Sequence, residues 1–126
     1  MTTTVQVTLP IAAVLNTNQR PSRYEKAAKV SVIRTRFRIA AQTGQRLNTP
    51  VHCYAMLGFS DPGRTRDANN WHDTTKPAID GCVDAGLIPK DDHRHLLGPD
   101  HRIDPKPCEP GFVRISLVFE EVGTSG

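Results

Sequence analysis

Carboxylates and amides gather at both ends of one short stretch in the middle of this chain. Arg66-Asp67-Ala68-Asn69-Asn70-Trp71 opens the stretch and Pro89-Lys90-Asp91-Asp92-His93 closes it, with Lys76, Asp80 and Asp84 between. Such side chains offer a few hard oxygen donors, the set that Mg2+ takes while keeping several of its waters. A bound Mg2+ polarises a phosphodiester and lowers the pKa of an attacking water, so the chemistry this pattern points to is phosphoryl transfer. The competing reading is that Asp and Asn are simply the residues that turns and caps use most. A helix of about twelve residues between the two clusters would span about 18 Å. The clusters therefore meet only if the flanking loops fold back along that helix.

Around these acids the chain is basic. Its 126 residues carry 16 Lys and Arg against 13 Asp and Glu, a formal net charge of +3. That balance suits a polyanionic partner without requiring one. Eight of the 16 cations lie between Arg20 and Arg46, beside a single acid, Glu25. Arg23, Lys26, Lys29, Arg34, Arg36 and Arg38 belong to this run, and Arg64 and Arg66 stand just before Asp67. Surface helices ordinarily mix signs for i,i+4 pairing. A run of one sign favours phosphate contact over a merely solvated face.

The elements that must position these residues follow from periodicity. Val5, Val7 and Leu9 alternate with Thr4, Gln6 and Thr8, a strand ended by Pro10. Residues 11–21 read as a loop with at most one helical turn, a candidate substrate-facing surface. Ser22 with Glu25 forms a capping box, and Ala27, Val30, Ile33, Phe37, Ala40 and Ala41 recur at helical spacing, so the predicted helix covers 22–43 and ends at Gly44. The mostly apolar run 51–59 reads as a central strand. Thr74 or Asp73 is the expected cap of a second helix, with Pro77 in its first turn, Ala78, Ile79, Cys82 and Val83 as its buried stripe, and Gly86 as its end. A short strand is expected over 93–97, an irregular proline-rich excursion over 98–111, a final alternating strand over 112–120 and a frayed tail over 121–126. The expected fold is α+β, one domain of 126 residues with a small mixed sheet and two main helices packed on it.

Cys53, Cys82 and Cys108 are scattered and odd in number, which reads as reduced thiols of a cytoplasmic protein. No run approaches membrane-spanning length. His72, His93, His95 and His101 match no paired zinc spacing. His93, beside Asp92, is a candidate proton-transfer or phosphate-contact group. Trp71 reads as a core anchor before a base-stacking platform. Asp80 and Asp84 read as solvent-exposed before metal-supporting.

Arg66-Asp67-x-Asn69-Asn70, then Lys76-x-x-x-Asp80, then Val83-Asp84-Ala85-Gly86-Leu87-x-x-x-Asp91-Asp92 resembles the core of the RusA-type Holliday junction resolvases, small homodimeric endonucleases common in phages and prophages. The family pattern is an R-D-x-D-N loop, a helix bearing Lys and Asp, an A-G turn and a D-D pair. The resemblance is specific over residues 66–92 and covers the order of elements elsewhere. It implies a Mg2+-dependent enzyme, with Mn2+ as a substitute, that cuts four-way and branched DNA symmetrically. By motif position it implies Asp67, Asn69, Asp91 and Asp92 as the metal set. Asp67, Asn69, Asp92 and Lys76 become the catalytic set, with Lys76 at the scissile phosphate. Asn69 departs from the pattern, since a neutral amide stands where the family has a second aspartate. The spacing from Asn70 to Lys76 is also longer than in the shorter members. Both departures keep open a second expectation, a non-catalytic binder of structured DNA with a degenerate metal site.

Overall fold

The computed structural model describes residues 2–122. Four strands form one mixed sheet in the order β1-β4-β2-β3: β1 is Thr2–Pro10, β2 Val51–Gly58, β3 Leu96–Ile103 and β4 Phe112–Glu121. The last strand in sequence runs between β1 and β2, antiparallel to both. Leu117 lies opposite Val5 on one side and Ala55 on the other, so the alternating apolar residues of three strands meet on one face. That face is buried under two helices, α1 (Arg23–Ala40) and α2 (His72–Asp84), through Ile33, Phe37, Ala78, Ile79 and Cys82. The fold is the small single-domain α+β arrangement expected from the sequence.

Capping explains where the helices begin and stop. The Ser22 hydroxyl accepts the Glu25 N–H at 3.1 Å, as the capping box predicts. α1 ends at Ala40, a turn before the expected Thr43. The second helix differs more. A 3₁₀ turn over Ala68–Trp71, capped by Asp67, leads directly into α2 at His72, so neither Asp73 nor Thr74 is its cap. Pro77 consequently falls in the second turn, where its missing N–H leaves the Asp73 carbonyl without an intrahelical donor. At the far end Gly86 takes φ +81°, its N–H bonds Val83 O at 2.9 Å and Leu87 N–H bonds Cys82 O at 3.1 Å. This pair of bonds is a Schellman closure, as the A-G turn predicts.

Gly81 sets the distance between the helices. A Cβ built there would lie 2.3 Å from the Arg34 carbonyl oxygen and 2.8 Å from Arg38 N. Backbone packs directly on backbone at this crossing, which only glycine permits.

β3 is the element that the sequence misplaces. It starts at Leu96 and runs through Gly98 and Pro99 to Ile103, parallel to β2, so 98–103 is strand and the irregular excursion shrinks to the segment before β4. An edge strand tolerates Pro99 because only one side of it pairs. Gly98, at φ +96°, sits against a register shift of β2, its would-be Cβ 2.7 Å from the Cys53 carbonyl oxygen. Glu121 belongs to β4, and Val122 N–H bonds Pro50 O at 3.1 Å, so the tail does not begin at 121. The rest of the expected tail, 123–126, lies outside the described residues. No helix among the described residues is long and apolar enough to cross a membrane.

Candidate functional site

Where β2 ends, three segments enclose a cleft of about 470 Å³: the loop after Phe59, the 3₁₀ turn that carries Asn70 and Trp71, and the loop after β1. Asn16, Asn18, Arg64, Arg66, Asp67 and Trp71 are among its lining residues. The loop after β1 is held there by one buried side chain. Thr74 Oγ1 accepts the Leu15 N–H at 2.7 Å and donates to the Leu15 carbonyl at 2.6 Å. Thr17 reinforces this with its N–H to Asn70 O at 2.9 Å and its hydroxyl to Asn70 Oδ1 at 3.1 Å. Asn16 and Asn18 therefore face the same space as Asp67.

The two cleft arginines do different work. The Arg66 guanidinium lies 3.9 Å from the centre of the Phe59 ring and bonds both the Asp61 carboxylate and, at 2.9 Å, the Asp61 carbonyl. It braces the 59–67 loop and holds the Asp61 carboxyl below the usual carboxylate range. Arg64 is exposed, and its side chain makes no hydrogen bond or ion pair among the described residues. Trp71 packs against the core with its ring 5.2 Å from Phe59 and turns one edge to the cleft, so the anchoring role holds and the edge stays available.

Asp67 is exposed, and its Oδ1 accepts the Asn69 N–H at 3.0 Å. One of the acids at the other end of α2 comes back along the helix. After the Gly86 closure the chain reverses, and Asp91 reaches Lys76, five residues into α2, to form a salt bridge. Asp80 Oδ1 accepts from the same ammonium at 2.9 Å. Lys76 holds the Asp91 carboxyl below its usual range, and the two carboxylates hold the Lys76 ammonium above its own. Asp92 points elsewhere: its Oδ1 accepts the Arg94 N–H at 3.1 Å and its carbonyl accepts the N–H groups of His95 and Leu96. It starts the turn into β3. Asp80 and Asp84 are not simply solvated, since Asp84 takes both Arg34 nitrogens, at 2.6 and 2.8 Å.

The donor chemistry fits Mg2+. Asp67 and Asp92 each give one carboxylate oxygen to a backbone N–H and keep the other, while the Asn69 carboxamide takes no hydrogen bond among the described residues. No three His, Cys, Asp or Glu side chains among the described residues close on one point. One or two carboxylates, with waters and substrate phosphates completing the shell, is the way Mg2+ is commonly held in phosphoryl-transfer sites.

Of the helix cations, Arg34 is committed to Asp84, whereas Arg23, Lys26, Lys29, Arg36 and Arg38 form no ion pair among the described residues. The histidines are dispersed. His101 Nε2 meets Thr75 Oγ1 at 2.7 Å with the His72 ring 6.1 Å away, His95 Nδ1 meets Thr49 Oγ1 at 2.9 Å, and His93 is exposed. Cys53 and Cys82 are buried, which pushes both thiols up to about 12. Neither can serve as a nucleophile near neutral pH.

Sequence reasoning passed over Thr74 as a brace and Asp80 as a partner of Lys76. Only the i,i+4 spacing of Lys76 and Asp80 signalled any of these in advance. No family model matches the chain, and no curated protein matches it.

Proposed function

We propose that the protein is a Mg2+-dependent endodeoxyribonuclease that resolves Holliday junctions and other branched DNA by symmetric phosphodiester hydrolysis, acting as a homodimer. The observation that carries this reading is the reversal of the chain after α2. It returns Asp91 to the flank of the helix that bears Lys76. Asp80 and Asp91, eleven residues apart, thus share the lysine of the motif. Mg2+ held by Asp67 and Asp92, with the Asn69 carbonyl oxygen as a neutral donor, would supply Lewis acidity and an activated water.

The chain's own residues divide the remaining tasks. Arg64 offers an unpaired guanidinium to a phosphate at the cleft mouth, and Asn16 and Asn18 offer amide donors to the sugar-phosphate backbone. Lys76 pairs with Asp91 and stands ready to offset charge on a phosphate. The unpaired cations of α1 supply contacts that position the duplex arms without reading their sequence. Two-fold symmetry in the protein would match the paired cuts of a symmetric junction.

A second reading, a binder of structured DNA that does not cut, draws on two specific observations. Asn69 is neutral where the motif carries a carboxylate, and the Lys76 ammonium already satisfies Asp80 and Asp91. A labelled four-way junction incubated with the protein, with and without Mg2+, separates the two on a denaturing gel. Paired nicks that appear only with Mg2+ are the expected result. An intact junction that still shifts on a native gel would replace the nuclease with the binder, and neither signal would remove both.

A further inference from the structure

The chemistry proposed above occupies only part of the cleft. Arg64, Asp67, Asn16 and Asn18 suit a sugar-phosphate backbone, whereas Ile11, Phe59, Trp71 and Val113 line the same space with apolar surface. Phe59 and Val113 are buried and form its floor. Trp71 turns one edge to it, and Ile11 is 50% exposed beside it. A phosphate or a sugar loses hydration against such walls and gains no partner from them.

These walls are pinned in place. On one side Thr74 holds Leu15 and the Thr17 hydroxyl bonds Asn70. On the other, Arg66 covers the Phe59 ring while it bonds Asp61. A space of about 470 Å³ held open in this way is a preformed pocket. It falls within the roughly 300–1,000 Å³ that enclose a small organic group.

We infer that the apolar part of the cleft receives the base of an unpaired nucleotide, turned out of the helical stack at a DNA branch point, while Arg64 takes a phosphate of the same strand. A base brings a flat apolar face to Ile11 and the Trp71 edge, and ring acceptors for a donor. The Asn70 carboxamide supplies that donor. Its oxygen accepts the Thr17 hydroxyl at 3.1 Å, while its nitrogen makes no hydrogen bond among the described residues and is open to solvent. Turning a base out costs least where pairing and stacking are already interrupted. Continuous duplex keeps its bases stacked and leaves the pocket unfilled. The pocket therefore separates branched from linear DNA, which backbone contacts bind alike.

This occupant rests on the DNA-directed function proposed above, and a binding test without Mg2+ keeps the two separable. The full chain in EDTA is titrated with a four-way junction that carries one unpaired thymidine at the branch, and with the same junction made abasic at that position. The wild type should bind the first about tenfold more tightly. Emission from Trp71, the single tryptophan, should be quenched by the first junction alone. Ile11→Ser, with unchanged circular dichroism, should lose the preference and bind the abasic junction like the wild type. Equal affinity for the two junctions, emission that does not separate them, or a full preference kept by Ile11→Ser overturns the pocket, and Mg2+-dependent nicking of a fully paired junction then still supports the nuclease. The preference with no Mg2+-dependent nicks keeps the pocket and overturns the nuclease, and no binding of either junction overturns both. If Ile11→Ser fails to fold, the two junctions on the wild type decide alone.

Discussion

Lys76 and Asp91 form a salt bridge across a separation of fifteen residues, and Asp80 accepts from the same ammonium. Lys76→Met should cost less than about 1 kcal/mol of stability, because nearly half of the lysine side chain is exposed. The Asp91 carboxyl should titrate higher than in the wild type once its cation is gone, a shift that carboxyl-carbon NMR measures. Its depressed pKa adds stability above the ordinary carboxylate range that is lost as pH falls, so acid unfolding of the variant should begin from a lower plateau. Junction cleavage should fall with Lys76→Met and recover partly with Lys76→Arg.

Asp67→Asn keeps an oxygen to accept the Asn69 N–H, so the 3₁₀ turn should survive. Under the nuclease proposal Mg2+-dependent cleavage is abolished while junction affinity stays largely intact. Cleavage at the wild-type rate would remove Asp67 from the site. Asn69→Asp discriminates further: a large gain in cleavage marks the natural site as degenerate, and little change marks it as sufficient.

Thr74→Val removes the two hydrogen bonds that hold Leu15 and leaves a buried N–H and carbonyl unpaired. The expected cost is about 2–6 kcal/mol, on the order of 1–3 kcal/mol for each of the two buried groups left unsatisfied. Thermal melts measure it. Because Leu15 positions Asn16 and Asn18, junction binding should weaken even at temperatures where the variant is fully folded.

Gly81→Ala improves helix propensity and should nevertheless destabilise. Its methyl would meet the backbone of α1, which cannot step aside without parting the two helices. Overpacking of this kind costs roughly 1–3 kcal/mol, readable as a lower denaturation midpoint.

His101 is depressed by burial and by the neighbouring His72, an effect that Asp100 offsets in part. A base whose folded pKa lies below its unfolded value of about 6.5 binds protons more readily when unfolded. Its contribution is complete above that pH and is lost as pH falls through the lowered pKa. Urea melts at pH 7.5 and 5.5 should show the wild type losing more stability than His101→Gln.

The sequence pattern was most readable where one physical constraint acts alone. Val5, Val7 and Leu9 could only be a half-buried strand, Ser22 with Glu25 could only open a helix, and Gly86 closed one. It was least readable where contacts remote in sequence decide. Leu96–Ile103 becomes a strand because β2 offers it a parallel edge, and Gly98 with Pro99 hides that locally. The helix start moved to His72 because Asp67 caps a 3₁₀ turn ahead of it. The acids of the candidate site could be named from spacing, yet the meeting of Asp91 with Lys76 through the reversal after Gly86 could not, since nothing local dictates the path of 87–92.

The place of β4 in the sheet has a consequence for how the chain is made. β1 leaves the ribosome first, and its neighbour is the strand synthesised last; Ser116 and Gln6, hydrogen-bonded across that pair, are 110 residues apart. Until 112–121 emerges, β1 and β2 have no strand between them, and the hydrogen-bonding edges that face each other stay unpaired. Contacts of such long range fold slowly. A chain stalled before β4 is therefore an aggregation hazard and a substrate for chaperones.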